Sequence, residues 1–484
     1  MKKRLLSLLL IISMLLMVLP ANSAFAQEEV QVTEETQVAQ APYSLWAFDE
    51  LLVGDTYHIY PKSWYTKSMQ VPVTHPQMRI LLAGVRTKIN DSDKVVKYNE
   101  QKYYLKNNMT VEEVLEFFFI LVSDYEFDSD IGITDETKAL EYMSKNGVFT
   151  GNEGELSLED KCTVEQACVI ATRLVTYLYD VLDAASKGFL WEIESKENTI
   201  YLLGSVHQAD YDIYPFSNKM LKAFAESDVL GVEVNLLDES VDINALTIKY
   251  GVYNDGTTLK DHISEETYKK TIQVGAVFGL TEEILNMYKP WALFSTFGSY
   301  SANLTTSTEE VLKAQQLGID MKFLMDAYFY GKPIVELESY EFQLEMFDSF
   351  SDELEELLLS STLDSINNIM QGTVTDTYNP IASILDYWHE GDVDGFMKEI
   401  APLMIAAETP DMDEEDKEIL PLMDEYFNKI FTQRDKVMAD KIDILLGAEG
   451  SATYFIVVGT GHYISDNSVV DILKDMGYEV NQIK

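Results

Sequence analysis

Apolar runs of strand-like character alternate with amphipathic helical stretches throughout residues 186–484. This alternation is the signature of an α/β domain, because strands joined by helical segments pack as a sheet with helices against it. Long helical insertions separate the third run from the fourth and the fourth from the fifth. The sequence therefore predicts a central mixed β-sheet with flanking helices. The runs are FLWEIES (189–195), TIYLLGS (199–205), VLGVEVN (229–235), PIVELES (333–339) and TYFIVVG (453–459).

The stretch before the fourth run has the local signals of a complete helix. Asp320 is a candidate N-cap for MKFLMDAYFY, Gly331 a candidate end, and Pro333 opens the next strand. A carboxylate satisfies free amides at a helix start, and glycine is favoured just past a helix end. We expect a compact helix-to-strand unit here.

Residues 44–185 predict a small, mainly helical module. Thr110-Val-Glu-Glu113 and Thr163-Val-Glu-Gln166 precede long apolar stretches. Both are capping boxes, in which a Thr hydroxyl and a Glu or Gln side chain accept hydrogen bonds from the free backbone amides at a helix start. Their spacing of about 50 residues indicates an internal repeat.

The second copy, Lys138 to Tyr179, resembles an S-layer homology repeat: a helix, a Gly-containing turn, a polar loop and a second helix. That resemblance implies contact with a cell-wall polymer through a Thr-Arg-Ala-Glu type motif. The corresponding stretch here is Thr163-Val164-Glu165-Gln166, which lacks the Arg. A helical packing module is the alternative.

The first 26 residues are typical of a secretory signal peptide. Lys2, Lys3 and Arg4 form a basic start, a short apolar run follows, and Ala24-Phe25-Ala26 is a cleavage site of the A-x-A type. Residues 27–43 form an acidic linker. No later segment is apolar over 18 residues. We expect a secreted, extracellular protein without a membrane span in its mature chain. The module at 44–185 adds the expectation that the protein is associated with the cell wall.

The charge balance excludes classes of partner. The chain has 81 acidic and 36 basic side chains, for a formal charge of −45. Binding to nucleic acid or to an anionic membrane surface requires a basic footprint, so both are excluded. The two cysteines, Cys162 and Cys168, are too few for a disulfide scaffold, and either buried thiols or one small disulfide fits them.

Two of the six histidines occupy the same local context. Gly204-Ser-Val-His207 and Gly459-Thr-Gly-His462 each follow an apolar strand. By composition a Gly-x-x-His should occur roughly 0.3 times, so two copies at strand ends point to a function. Ligands of α/β sheets bind at the carboxyl ends of strands. We therefore expect His207 and His462 to lie on neighbouring strands and to converge on one site.

A carboxylate completes the candidate site. Glu233 lies within the run VLGVEVN, where an acid is costly unless it is paired or bound to a metal. Two imidazoles and a carboxylate make a reasonable ligand set for one divalent transition ion. The chain has no HExxH, G-x-S-x-G, GxxxxGK[ST] or GxGxxG motif, which weakens the helix-borne metalloprotease, serine hydrolase and nucleotide-binding alternatives.

Residues 189–484 contain a series of short pieces spread over nearly 300 residues: WEIESKENTIYLLGSVH, SDVLGVEVN, KPW, GID, GKPIVELESYEFQ, YWHEGD, QRDKVMADKI and FIVVGTGHYISDNSVVDILKDMGYEV. In their order and spacing these pieces resemble the TraB/PrgY/GumN family, which includes the animal TIKI metalloproteases.

The resemblance implicates His207, His462 and Glu233 as metal and catalytic groups, with matched positions of less defined role at Glu338, Gln343 and Arg434. The family usually has Asn where this chain has Asp435, an extra acid that can alter metal preference.

These features predict a secreted metal-dependent hydrolase acting on a peptide or protein substrate, with Mn, Co or Zn as the ion. Glu233 would either complete the coordination or act as a general base, and the resemblance adds Glu338 and Arg434 to the catalytic candidates. Two alternatives stay open: a non-catalytic protein that binds a metal or haem in the same crevice, and a cell-wall-associated adaptor.

Overall fold

The computed structural model describes residues 42–99, 104–151, 158–301, 304, 306–372, 380–404, 414–465 and 467–484. The chain divides into two compact units. The N-terminal unit comprises the described residues up to Ser186 together with Tyr211–Asn218. The C-terminal unit comprises Lys187–Asp210 and Lys219–Lys484. The predicted signal peptide, and the predicted linker up to residue 41, lie outside the described residues.

The N-terminal unit is mainly helical, with a small antiparallel hairpin. Helix α5 is its centre, with most of its side chains buried, and α1, α2 and α3 pack against it. The elements are α1 (Phe48–Thr56), α2 (His75–Asp91), β1 (Val95–Tyr98), α3 (Val111–Ser123), β2 (Tyr125–Phe127), α4 (Ala139–Lys145) and α5 (Val164–Val181). The short 3-10 turns Leu45–Ala47 and Lys62–Thr66 lie before and after α1.

Both predicted capping boxes are present. The Thr110 hydroxyl accepts the Glu113 amide at the start of α3, and the Thr163 hydroxyl accepts the Gln166 amide at the start of α5. Glu165, the acid inside the second box, is buried, and its carboxylate accepts hydrogen bonds from the amide and hydroxyl of Ser44. Glu165 therefore links the start of α5 to the segment that precedes α1.

The segment Tyr211–Asn218 belongs to the N-terminal unit although it follows the first strands of the other unit. The buried ammonium of Lys88 donates to the carbonyl oxygens of Tyr211 and Tyr214, at 2.6 and 2.9 Å. The Tyr211 ring stacks on His58 at 4.3 Å between centroids. A chain boundary at Ser186 consequently cuts through this unit.

The C-terminal unit contains a six-stranded mixed sheet in the order β6-β5-β7-β4-β3-β8. Strands β6, β5, β7 and β4 are parallel, and β3 runs antiparallel to both β4 and β8. This sheet confirms the predicted α/β fold. The strands are β3 (Phe189–Glu194), β4 (Thr199–Ser205), β5 (Val229–Val232), β6 (Ile334–Glu336), β7 (Thr453–Gly459) and β8 (Val480–Ile483).

All five predicted strands form, but three are shorter than predicted. β3 ends one residue early, at Glu194. β5 ends at Val232, so Glu233 follows the strand instead of lying within it, and β6 covers only Ile334–Glu336. β8 was not predicted, because VNQI at the sheet edge is half-buried and has no continuous apolar run.

Helices surround the sheet and fill the insertions. In chain order they are α6 (Asn218–Glu226), α7 (Ile243–Gly251), α8 (Leu259–His262), α9 (Glu265–Val277), α10 (Glu282–Leu285), α11 (Pro290–Ser301), α12 (Thr308–Gln316), α13 (Ile319–Tyr330), α14 (Tyr340–Asp348), α15 (Asp352–Met370), α16 (Pro380–Glu390), α17 (Val393–Met404), α18 (Glu414–Phe427), α19 (Gln433–Gly447), α20 (Gly461–Ile464) and α21 (Val469–Asp475).

The insertions have an apolar core of their own. It joins side chains of α8 to α11 with others from α14, α15 and α18 and from a π-helical turn at Asn428–Thr432. Trp291 and Tyr426 are among its fully buried members. On the sheet, Phe224 of α6 and Phe323 of α13 pack their rings against Phe455 of β7.

Both cysteines are buried free thiols, and burial raises the pKa of Cys162 to about 12. Of the two alternatives, buried thiols and a small disulfide, the structure shows Cys162 and Cys168 as thiols. Among the described residues, no helix has the length and apolar character to cross a membrane.

Candidate functional site

The two Gly-x-x-His motifs and Glu233 follow three neighbouring strands. β4 leads to His207, β7 leads to His462 in the short helix α20, and β5 ends directly before Glu233. β7 lies between the other two strands and is parallel to both. The parallel register therefore brings all three residues to the same edge of the sheet, as the paired motifs predict.

Glycine at the first motif allows the two strand ends to approach. A Cβ at Gly204 would lie 2.9 Å from the hydroxyl oxygen of Thr460, which is closer than real Cβ contacts. The amide of Thr460 in turn donates to the carbonyl oxygen of Ser205. The small residue thus permits β4 and β7 to leave the sheet side by side.

His207 is held by a carboxylate from helix α13. Its Nδ1 lies 2.9 Å from Oδ2 of Asp320, and both side chains are largely buried. Burial alone lowers the pKa of His207, but the negative charge of Asp320 and its hydrogen bond outweigh burial and raise it. The predicted N-cap role of Asp320 is wrong, because α13 begins at Ile319 with Gly318 as its cap. Gly331 does end the helix as predicted.

The start of α13 touches the backbone of the first His motif. The amide of Ile319 donates to the carbonyl oxygen of Val206, and a Cβ at Gly318 would lie 2.3 Å from the carbonyl oxygen of His207. Only glycine fits such an approach, which places Asp320 against the imidazole ring.

His462 has a matching partner. Its Nδ1 lies 2.5 Å from Oδ1 of Asp435 on helix α19, and both side chains are buried from solvent. Burial raises the pKa of the Asp435 carboxyl even though the facing His462 and the neighbouring Arg434 lower it. A carboxylate on Nδ1 fixes the ring orientation and favours the tautomer with its proton on that nitrogen.

Glu233 is part of a buried ion network. Its Oε2 accepts from Nη2 of Arg434 at 2.7 Å, and its Oε1 accepts from the amide of Gly459 at 2.6 Å. Burial alone would raise the pKa of Glu233, but the charges of Arg434 and of the two histidines lower it to about 2. Glu233 is therefore ionised at neutral pH.

Arg434 joins Glu233 to the second candidate carboxylate. It is 2% exposed and forms a two-pronged pair with Glu338, Nε to Oε1 at 2.8 Å and Nη2 to Oε2 at 2.7 Å. Gln343 donates to Oε2 of Glu338 at 3.0 Å and reaches Oε2 of Glu233 at 3.5 Å. Glu338, Gln343 and Arg434 thus lie in one network with Glu233.

A small cavity of about 50 Å³ opens beside these groups and is lined by His207, Glu233, Asp320 and Gln343 among others. This space suits one or two water-sized groups, since a water molecule occupies about 30 Å³ of the liquid. Several buried polar atoms at this edge have no hydrogen-bond partner among the described residues: Ser205 Oγ, His207 Nε2, Asp320 Oδ1, Thr460 Oγ1, His462 Nε2 and the Tyr463 hydroxyl.

Each of the two bare imidazole nitrogens is a donor of the type that binds a divalent metal ion. A neutral imidazole whose Nδ1 faces a carboxylate presents an unprotonated Nε2, and metal-binding histidines are commonly supported in this way. Buried polar atoms without a partner are rare in proteins and call for a water or an ion. In the described part of the chain, however, no three His, Cys, Asp or Glu side chains are grouped as a ready metal site. The fit therefore rests on two nitrogen donors.

The sequence named six candidates, His207, His462, Glu233, Glu338, Gln343 and Arg434, but it did not predict the contact of Asp320 with His207. Its position at a helix start gave the simpler interpretation of a cap. Asp435 was noticed only as a departure from Asn, and Tyr463 carried no signal beyond its place next to His462.

The chain is similar in sequence to several named proteins. The chain is 23% identical over 337 residues to a protein named Metalloprotease TIKI homolog from Amphimedon queenslandica, covering 62% of each chain. It is 22% identical over 328 residues to the homolog from Nematostella vectensis, covering 61% of this chain and 67% of the relative. Uncharacterized protein YbaP of Escherichia coli (strain K12) is 23% identical over 152 residues, 31% of this chain and 53% of that protein.

The chain spans a little under two thirds of the length of the first of these relatives. No solved structure matches it significantly. The family model described as TraB/PrgY/gumN family matches residues 189–482, which include both Gly-x-x-His motifs, Glu233 and Arg434. The chain therefore belongs to the TraB/PrgY/gumN family.

Proposed function

We propose that this protein is a metal-dependent hydrolase that cleaves peptide bonds. The observation that carries the proposal is the pair of buried imidazoles, each fixed by a carboxylate on Nδ1 and each with a bare Nε2, at the ends of adjacent parallel strands. Similarity to proteins named metalloproteases supports the class of reaction.

His207 and His462 would hold the ion, and Glu233 would supply the third, anionic contact. Imidazole and carboxylate donors suit Mn, Co or Zn. When bound, the ion would polarise a peptide carbonyl and make a water molecule more acidic. The carboxylates of Asp320 and Asp435 orient the two imidazole rings and hold the proton of each ring on its Nδ1.

The other residues of the network act on Glu233. Arg434 and the Gly459 amide hold both carboxylate oxygens, so the side chain has one orientation towards the cavity. Glu338 binds Arg434 through two hydrogen bonds and fixes it in turn. Gln343 lines the same cavity and can donate to a substrate carbonyl. We assign Glu338 and Arg434 positioning roles in this reaction.

The first experiment tests metal binding and turnover together. Protein purified without affinity metals is loaded with Mn, Co or Zn and incubated with unfolded proteins and a peptide mixture. We expect cleavage that chelation abolishes. His207→Ala and His462→Ala should each lose cleavage and bind the ion more weakly, whereas His262→Ala, in the helical insertion, should retain both. A protein that binds metal at one site and cleaves nothing would identify a non-catalytic binder instead.

Glu233→Gln distinguishes the two roles open to this carboxylate. A ligand, when replaced by an amide, loses both metal affinity and turnover, whereas a general base loses turnover and keeps the metal. We expect loss of both, because an anionic carboxylate oxygen complements two imidazole nitrogens as a ligand set for these ions and a neutral amide does not. Isothermal titration of the metal into the variant measures the difference.

Export is a separate part of the proposal, supported by the sequence of residues 1–26. Mature protein collected outside the cell should begin at Gln27, because Ala24 and Ala26 satisfy the small-residue rule for signal cleavage. Mass spectrometry of the secreted material checks this, and an intact amino terminus at Met1 would contradict it.

A further inference from the structure

A second, larger cavity lies next to the candidate active site and has no part in the roles assigned above. We propose that it is a specificity pocket that receives an apolar side chain of the peptide substrate, of the size of Leu, Met or Phe. This inference rests on the proposed peptidase function. Its volume is about 160 Å³, and its apolar lining consists of Val234, Leu236, Val241, Ile243, Leu246 and Tyr340.

The lining side chains are covered on one side only. Val234, Leu236, Val241, Ile243 and Leu246 pack against the apolar core of the helical insertions, yet each stays partly accessible. Leaving this much apolar surface in contact with water costs about 25 cal/mol for each Å². A ligand that covers the surface recovers that cost, which is how apolar pockets bind their ligands.

The larger cavity adjoins the small one. Val234 and Leu236 line both, and Val234 directly follows Glu233 along the chain. The small cavity, at about 50 Å³, has room for water-sized groups but not for a substrate side chain. A peptide whose scissile bond lies at Glu233 must therefore place its neighbouring side chain elsewhere, and the larger cavity is the adjoining space.

The volume of the larger cavity and the residues at its rim indicate which substrate side chain it can receive. A dry apolar cavity of about 150 Å³ is known to take up a benzene molecule, so 160 Å³ suits a Leu, Met or Phe side chain. The exposed Glu336 and Glu341 line its outer part, so the cavity opens to solvent. The Oε1 of Glu336 accepts the amide of Asn235, and Glu341 is paired with Lys249. The interior is mostly apolar and the rim carries two carboxylates, so an acidic side chain would be excluded.

Helix α7 offers a test with a matched control. Ile243 and Leu246 are three residues apart and share the face that lines the cavity, whereas Ile248 is 60% exposed and does not line it. Leu246→Trp should fill the pocket. Ile248→Trp adds the same bulk on the same helix outside the pocket.

The experiment measures kcat/KM of the metal-loaded full-length protein on peptides that differ at one position: Ala, Leu, Phe or Asp. Wild type should prefer Leu and Phe over Ala by at least tenfold, since one methylene in such a pocket changes kcat/KM by about 10- to 200-fold. Leu246→Trp should lose that preference, so that its kcat/KM on the Leu and Phe peptides falls to the level of its kcat/KM on the Ala peptide. Ile248→Trp should match wild type.

A binding assay separates failure of the pocket from failure of the proposed function. Peptides with a non-cleavable bond are titrated into metal-free protein, with Leu or Ala at the test position. Tighter binding of the Leu peptide that Leu246→Trp abolishes supports the pocket even if nothing is cleaved. Equal binding of both peptides, or cleavage without side-chain preference in wild type, overturns it. If Leu246→Trp does not fold, Val241→Phe fills the same space and is judged by the same outcomes.

Discussion

His207 and His462 are more than 250 residues apart in sequence, yet their surroundings are alike. Each ring has a carboxylate on Nδ1 and a bare, buried Nε2. The two carboxylates come from different helices, Asp320 from α13 and Asp435 from α19. Such support orients a ligand and strengthens its basicity, so these aspartates should matter nearly as much as the histidines.

Asp435 tests the support at one residue. Asp435→Ala should weaken metal binding by about 10- to 100-fold, because the His462 ring loses its orientation and tautomer preference. Asp435→Asn keeps an oxygen acceptor of the same shape and should recover most of that affinity. Metal titration gives the affinities, and ring-nitrogen NMR of His462 reports the tautomer. Equal affinity in the alanine variant and wild type would refute a positioning role.

Arg434 tests the ion network through stability. Arg434→Met leaves Glu233 and Glu338 buried without their partner, which should cost about 3–5 kcal/mol in the free energy of unfolding. Urea unfolding measures this cost. Lys436→Met, an exposed position on the same helix, should change the unfolding free energy by less than about 0.5 kcal/mol. A comparable effect of both substitutions would show that the pairs at Arg434 contribute nothing specific.

At the residue scale, prediction from sequence depended on local context. His207 and His462 were found because both motifs repeat after apolar strands, and Glu233 because an acid in an apolar run is costly. Asp320 was misread because its partner is 113 residues away, and a helix start offered a sufficient local explanation. Long-range pairings of this kind leave no periodic trace in the sequence.

Among the elements, helix α13 contacts the site through its first turn. Its cap, Gly318, lies so near the backbone of His207 that any side chain would force the helix away. The helix also carries Asp320, so its position sets the orientation of the imidazole. One glycine thus couples a helix start to the end of β4.

Gly318→Ala tests that coupling. The added Cβ would lie 2.3 Å from a backbone oxygen, and because a backbone atom cannot move aside like a flexible side chain, α13 must shift. Overpacking of this kind costs about 1–3 kcal/mol, and metal affinity should fall because Asp320 moves away from His207. Thermal unfolding and metal titration measure the two effects. Gly447→Ala, where the new Cβ meets nothing within 4 Å, is the control and should leave both unchanged.

Element prediction succeeded where side-chain pattern and burial agree. β4 and β7 form over the predicted residues because both are continuous apolar runs in the interior of the sheet. β1 and β2 were missed because they are short and half-exposed, and β8 because an edge strand can be polar. Glu233 lies beyond β5 because the chain turns away from the sheet there, which apolar alternation does not report.

For the whole molecule, one buried acid should make stability depend on pH. Burial of Glu355 in α15, with Asp348 close by, raises its pKa to about 8 although Lys289 opposes this. Between about pH 4.5 and 8 the unfolded chain loses this proton while the folded chain keeps it. The free energy of unfolding should therefore fall as pH rises through that window, by at most about 1.4 kcal/mol for each pH unit.

Glu355→Gln removes the titration and should flatten this fall, so that the variant gains stability over wild type at pH 8 compared with pH 5. Urea unfolding at both values checks the effect. Glu353→Gln, at an exposed position on the same helix, should keep the wild-type slope. If the unfolding free energy of Glu355→Gln fell with pH as steeply as that of wild type, another group would be responsible for the pH dependence.

The division into two units gives a prediction for fragments. A fragment from Ser186 onwards retains Tyr211–Asn218 but removes Lys88 and His58, which hold Tyr211. We expect proteases to cut this segment quickly in the fragment and slowly in the full chain. Mass spectrometry of the first cleavage products identifies the site. Equal protection in both would show that the segment is held by the C-terminal unit.

β4 and β7 are neighbours in the sheet but far apart in the chain, so β4 is synthesised long before its neighbour. The ribosome makes the first imidazole of the site some 250 residues before the second, and domains fold in the order in which they emerge. A nascent chain therefore carries half of the proposed metal-binding pair throughout the translation of both helical insertions. Under the proposed function, an ion would be held by both rings only after α20 is made, so a nascent chain would lack activity until β7 has joined the sheet.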